Sequence, residues 1–149
     1  MHLLLFSLFS YFTSLAPGIE LTGYFSCAGS LLEETGDALS IYARTQRTCN
    51  KGEVILAAEK RLSSRAQKAV FTITDTLHLH LSANMQLAIA RCTTTSGKTH
   101  QYFVLSRGTT ASERQYLSNI KRVWGVNAQH RLVPVPVKTV KCLNNDYGV

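Results

Sequence analysis

Four cysteines, Cys27, Cys49, Cys92 and Cys142, are spread widely over the chain, and all of them follow a charge-free apolar run at the N-terminus. Leu3 to Leu15 carries no charge and suits the apolar stretch of a signal peptide. It is short for a bilayer span, which needs roughly 20 residues. Ala16 and Gly18 are small residues spaced like a cleavage signal. Residues 1–18 are therefore read as a signal peptide and 19–149 as one domain, with no membrane partner once the leader is gone. An even number of cysteines in an oxidising compartment predicts two disulfides, with three connectivities open. The favoured pairing is Cys27–Cys142, tying the ends of the domain together, with Cys49–Cys92. Metal is disfavoured, because no two cysteines have the C-x₂₋₄-C spacing of structural zinc sites. No cofactor is expected.

The net charge of +7 is unevenly placed. Up to residue 59 there are three Lys or Arg against six Asp or Glu; from residue 60 on there are thirteen against three. A basic C-terminal half favours phosphate-rich or acidic partners, or serves only as a solvated surface.

Hydrophobic spacing predicts an α+β fold. Gly23–Cys27 reads as a short first strand, and Glu33-Glu34-Thr35-Gly36-Asp37 as a turn. Ala38–Ala43 alternates like a strand. Asn50 and Glu53 resemble a capping box, and Val54, Ile55, Ala58 and Leu62 recur at helical spacing, which predicts a helix over 51–65. Strands follow at 69–74, 76–81, 86–92 and 101–106, the first two readable as one bent strand across Asp75. Ser112 and Gln115 form a second capping box. Tyr116, Leu117, Ile120, Val123 and Trp124 then give helical spacing as far as Gly125 at the C′ position. Pro134 and Pro136 cannot donate to a ladder and place the last run at a sheet edge or in a polyproline-like stretch, and a phase change between Val137 and Val140 suggests a bulge. The expected architecture is a helix packed on an antiparallel sheet, with an additional short helix.

Several residues carry candidate chemistry. His78 and His80 share one face of a strand and could supply two metal ligands or one catalytic imidazole, although exposed polar positions on an amphipathic strand look the same. Histidines 78, 80, 100 and 130 are the candidate acids and bases, and Arg91, Arg107 and Lys98 the candidate phosphate cations. A carboxylate partner is scarce after Glu59, so no catalytic residue is assigned and the expectation is a non-enzyme. Arg107, Arg114, Lys121, Arg122 and Arg131, gathered around the second predicted helix beside Tyr116 and Trp124, are the candidate nucleic-acid contacts.

Phe25-Ser26-Cys27 after the leader matches the Y/F/W-x-C motif of powdery-mildew candidate effectors, and Cys142 matches their late cysteine. Gln101–Gly108 looks like the aromatic strand and turn of the same proteins. The chain thus resembles the ribonuclease-like proteins associated with haustoria. The resemblance implies a fold similar to small fungal ribonucleases, secretion and delivery into host plant cells, and interference with immunity. Host RNA or a host protein would be the partner, a plant immune receptor could recognise the protein, and the protein would act as a monomer. Active relatives carry a Tyr-x-His strand and a Glu on the next strand. Here Leu77-x-Leu79 and His78-x-His80 stand in the first place and no Glu lies in 86–92, which implies an inactive site. An active secreted ribonuclease is the alternative.

Overall fold

The computed structural model describes residues 20–65 and 68–149, so the predicted signal segment lies outside the described residues. Among the described residues nine strands form two antiparallel sheets. The first contains β1 (Phe25–Leu31), β2 (Ala38–Ala43), β3 (Gly52–Arg65) and β4 (Lys68–Leu81), in the order β1-β2-β3-β4. The second contains β5 (Met85–Thr94), β6 (Thr99–Arg107), β7 (Ile120–Val126), β8 (Leu132–Val135) and β9 (Val140–Cys142), in the order β8-β7-β6-β5-β9. Among the described residues, helix is limited to two 3₁₀ turns, Gln46–Thr48 and Val137–Thr139. The α+β expectation is overturned. The ribonuclease-like fold falls with it, and so does the function built on that fold: an effector binding host RNA or a host protein, or alternatively an active ribonuclease.

The predicted helix over 51–65 is β3. Leu56 and Ala57, which the helical spacing left unused, are fully buried between Ile55 and Ala58, whereas Leu62, placed on the buried helix face, is 58% exposed. A strand covered on both faces reads as a continuous apolar run rather than an alternation. Such a run overlaps helical spacing by chance, and the helix-forming Ala57, Ala58 and Glu59 are overridden by pairing on both sides, Lys60 and Arg61 by pairing with β4. Glu53, the supposed capping residue, lies directly across from His80 and meets its Nδ1 at 2.7 Å.

The second predicted helix is a loop followed by β7. Its period is two: Val123 points to one side of the sheet and Trp124 to the other, and each is buried in a different cluster. Asn119 takes a positive φ of 54° just before β7 begins. The loop is held by Asn144, whose side-chain amide donates to the carbonyls of Ala111 and Arg114.

Between the sheets lies the main core: Leu39, Ile41, Val54, Leu56 and Leu81 from the first sheet against Phe103 and Trp124 from the second. Fully burying an aliphatic or aromatic side chain of this kind contributes about 1.5–3 kcal/mol. The outer face of the second sheet carries a smaller cluster, Ala90, Cys92, Val104, Val123 and Cys142, with Leu117, Val135, Val137 and Val140 packed against it. The chain from Pro136 to Thr139 accounts for that cover, because β8 and β9 occupy opposite edges of the sheet and the link must cross its face. The Val137–Val140 phase change is thus a 3₁₀ turn, while β8, with its proline, is an edge strand as its sequence predicts.

Both disulfides form with a different connectivity. Cys27 joins Cys49 and Cys92 joins Cys142, which overturns the predicted Cys27–Cys142 and Cys49–Cys92 pairs. Cys92 and Cys142 are register partners on adjacent strands β5 and β9, whereas Cys27 lies on β1 in the other sheet.

Candidate functional site

At one end of the sandwich the turn joining β1 to β2, residues 32–37, bends over the second sheet. The turn closes through Leu32 N–H to the Asp37 carbonyl at 2.7 Å and Gly36 N–H to the Leu32 carbonyl at 2.8 Å. Gly36 has a φ of 74°, and a Cβ there would stand 3.2 Å from Nη1 of Arg61. The positive φ is what calls for glycine here, since the tip of the Arg61 side chain could give way to a methyl group.

The three acids of this turn each meet a basic group on the second sheet. Glu33 pairs with Arg91 of β5, Glu34 Oε1 lies 3.0 Å from His100 Nδ1 of β6, and Asp37 Oδ2 lies 3.2 Å from His130 Nδ1 in the β7–β8 turn. Together with Tyr102, Gln101 and Asn127 they surround a cavity of about 400 Å³. That volume falls in the range of small-ligand sites, about 300–1,000 Å³.

Asp37 is the anchor. Only 8% of it is exposed, and its other oxygen accepts the Arg61 backbone N–H at 2.9 Å. A buried carboxylate is tolerated when donors surround it. His130 reaches Asp37 from a left-handed backbone, with a φ of 58°. Asn127 secures that turn, its side-chain oxygen accepting the N–H groups of Gln129 and Arg131, both at 3.0 Å. The His130 carbonyl accepts from Thr74 Oγ1 at 2.8 Å, and Asp75 Oδ2 accepts the Leu132 N–H at 2.8 Å. These bonds tie the β7–β8 turn to the first sheet.

Tyr102 is held by a gap in the neighbouring strand. An added Cβ on Gly125 would lie 2.7 Å from Tyr102 Cε1 and 2.9 Å from Cδ1, so the Cδ1–Cε1 edge of the ring fills the space that a side chain at position 125 would need. His100 stands edge-on to the ring with centroids 6.1 Å apart. Burial, and then the charge of Glu34, raise the Tyr102 pKa. The phenol therefore stays neutral and keeps its proton for donation.

The residues singled out in the sequence distribute differently. His100, His130 and Arg91 meet in the cleft, while His78 and His80 lie on β4, where His80 is exposed and engaged by Glu53. Among the described residues no group of three or more His, Cys, Asp or Glu is placed to hold a metal. Arg107, Lys121 and Arg122 lie at one end of the second sheet, where Leu105 of β6 pairs with Arg122. Arg131 lies at the other end of β7, 3.8 Å from Asp75, and Arg114 sits in the loop between β6 and β7. The proposed nucleic-acid patch is therefore not one surface. It depended on a helix that does not form, and the RNA-binding reading is withdrawn with it. Glu33, Glu34 and Asp37 read in the sequence only as turn residues. Their partners lie 58, 66 and 93 positions further along, and no local spacing joins them. No family model, curated protein or solved structure matches the chain.

Proposed function

We propose that the protein is a binding module whose cleft takes a neutral, polyhydroxylated ligand, by chemistry a saccharide unit. The observation that carries this reading is that three acid–base contacts and Tyr102 line one cavity. Each acid is set against a basic group, so the cleft offers alternating acceptors and donors rather than a field of one sign. Hydroxyl groups both donate and accept, and they match such a lining. Tyr102 adds an apolar ring face and a phenolic donor for a ligand with C–H faces and hydroxyl edges. The proposed role is holding the ligand rather than transforming it, because Arg91, His100 and His130 are already engaged by protein carboxylates. Two disulfides fit a working place in an oxidising compartment, such as the cell exterior.

The test is an NMR titration of the oxidised protein with neutral oligosaccharides: a β-glucan, a mannan and a chitin fragment. Amide shifts gathered at His100, Tyr102 and Gly125, and lost in Tyr102→Ala, support the reading. No shift with any of the three at millimolar concentration overturns it, as does a response confined to charged ligands. Cleavage of the sugar during the titration would overturn the non-catalytic role.

A further inference from the structure

Strands β3 and β4 extend well past the rest of their sheet. Pairing of β2 with β3 stops at Ala38–Glu59, while β3 and β4 continue to pair from Lys60–Thr72 to Arg65–Lys68. At about 3.3 Å per residue this two-stranded arm reaches roughly 17 Å beyond Lys60. A lone two-stranded ribbon is marginal in water. The arm bears exposed aliphatic groups nonetheless: Leu62 is 58% and Val70 37% exposed.

The arrangement of the arm is specific. Side chains alternate along a strand, so Lys68, Val70 and Thr72 share one face of β4. Lys60 lies opposite Thr72 on that face. A register shift between Arg61 and Ser63 sets Leu62 and Ser63 together against Val70. The face therefore runs basic, apolar, basic: Lys60, then Leu62 with Val70, then Lys68. From Lys60 to Phe71 the sequence contains Lys60, Arg61, Arg65 and Lys68 and no acid.

We propose that this arm docks on an anionic phospholipid surface, with Leu62 and Val70 entering the headgroup–acyl boundary and Lys60 and Lys68 on lipid phosphates. Apolar side chains flanked by lysines are what an interfacial element uses, with burial and charge attraction adding together. Charge complementarity selects the occupant. A second copy of the chain would set one basic arm against another. Nucleic acid would favour aromatic rings for base stacking, and this face offers aliphatic groups instead. The expectation from the sequence that no membrane is involved is revised here for the surface of a bilayer, not its interior.

Vesicle flotation tests this with the oxidised protein. Vesicles of phosphatidylcholine alone are compared with vesicles containing about 30% phosphatidylserine, at about 0.1 M and 0.5 M salt. Binding is expected only to the anionic vesicles and should weaken at the higher salt. Lys60→Gln with Lys68→Gln should lower affinity roughly thirty-fold, at about 1 kcal/mol per basic residue near the surface. Leu62→Ser with Val70→Ser should lower it several-fold, with thermal unfolding followed in parallel to show that each variant is folded. Lys121→Gln with Arg122→Gln, far from the arm, should bind like the parent. Equal loss in that variant would reduce the effect to net charge and overturn the proposal. Absence of binding to anionic vesicles overturns it as well, and so does binding to polyuridylate that needs the arm lysines but not Leu62.

Discussion

Replacing Gly125 with alanine puts a methyl group 2.7 Å from Cε1 and 2.9 Å from Cδ1 of Tyr102. Carbon atoms rest at about 3.5–4.0 Å, so the ring must withdraw by roughly 1 Å or β6 and β7 must part. Overpacking of this kind costs about 1–3 kcal/mol. Alanine in a strand interior recovers about 0.5–1 kcal/mol relative to glycine. The net expectation is a loss of about 0.5–2 kcal/mol. In a Tyr102→Ala background the clash is gone, and Gly125→Ala should then be neutral or stabilising by up to about 1 kcal/mol. The coupling between the two positions would be about 1–3 kcal/mol. Guanidinium unfolding of the four proteins, with both disulfides intact, gives the cycle directly. If Gly125→Ala costs the same with and without the tyrosine ring, or costs nothing, the account of how Tyr102 is seated is wrong. A displaced ring should also weaken any ligand that stacks on it.

Asp37→Ala removes the acceptor of the Arg61 N–H and the partner of His130, and should cost about 2–4 kcal/mol in the same assay. Asp37→Asn keeps an acceptor for Arg61 and should lose about half as much; equal losses would show that the backbone bond does not matter. Tyr42 gives a pH dependence. Its hydroxyl donates to Glu59, and burial, followed by Glu59, pushes its pKa from 10.0 to about 12. A raised folded pKa means that the stabilisation is fully present below pH 10 and is lost as the pH climbs through about 12. Discounted for partial exposure, the loss is about 1–2 kcal/mol, and Tyr42→Phe should flatten the alkaline limb of the stability curve. An unchanged limb in that variant would remove Tyr42 as its source.

The elements that the sequence made legible are those whose side chains alternate in polarity or mark an end; in β2 Ser40 and Tyr42 alternate with Leu39 and Ile41, although both faces of the strand are covered. Ala38–Ala43 alternates and is β2, and the residues that read as turn chemistry at Glu33–Asp37 do form a turn. The run from Ala69 to Leu81, readable as one bent strand, is β4, with its irregularity beside Asp75 where Ala58 and Glu59 shift register. The run with Pro134 falls at an edge because proline lacks the donor a central strand needs. The failures are equally physical. Val54–Ala58 is buried on both faces, so no alternation marks it as a strand, and Val54, Ile55, Ala58 and Leu62, behind the apparent Asn50–Glu53 cap, read as helical spacing. In residues 112–124, spacing of three and four arose from a loop followed by a two-period strand. The candidate cleft was half visible: His100, His130 and Arg91 were named, but nothing near them in the chain points to Glu33, Glu34 and Asp37.

By itself the sequence determined which segments could pair as amphipathic or edge strands, where the chain turns, and that the charge gathers after residue 59. Those properties are local, fixed by side-chain alternation, proline and glycine chemistry and composition. The tertiary structure alone decided that Val54–Ala58 is a central strand, that Cys92 meets Cys142, and that the acids of one turn meet bases 58 to 93 residues away. Each of these depends on which strands become neighbours. Strand neighbours are chosen by the burial of both sheets together, an energy that no short window of residues contains.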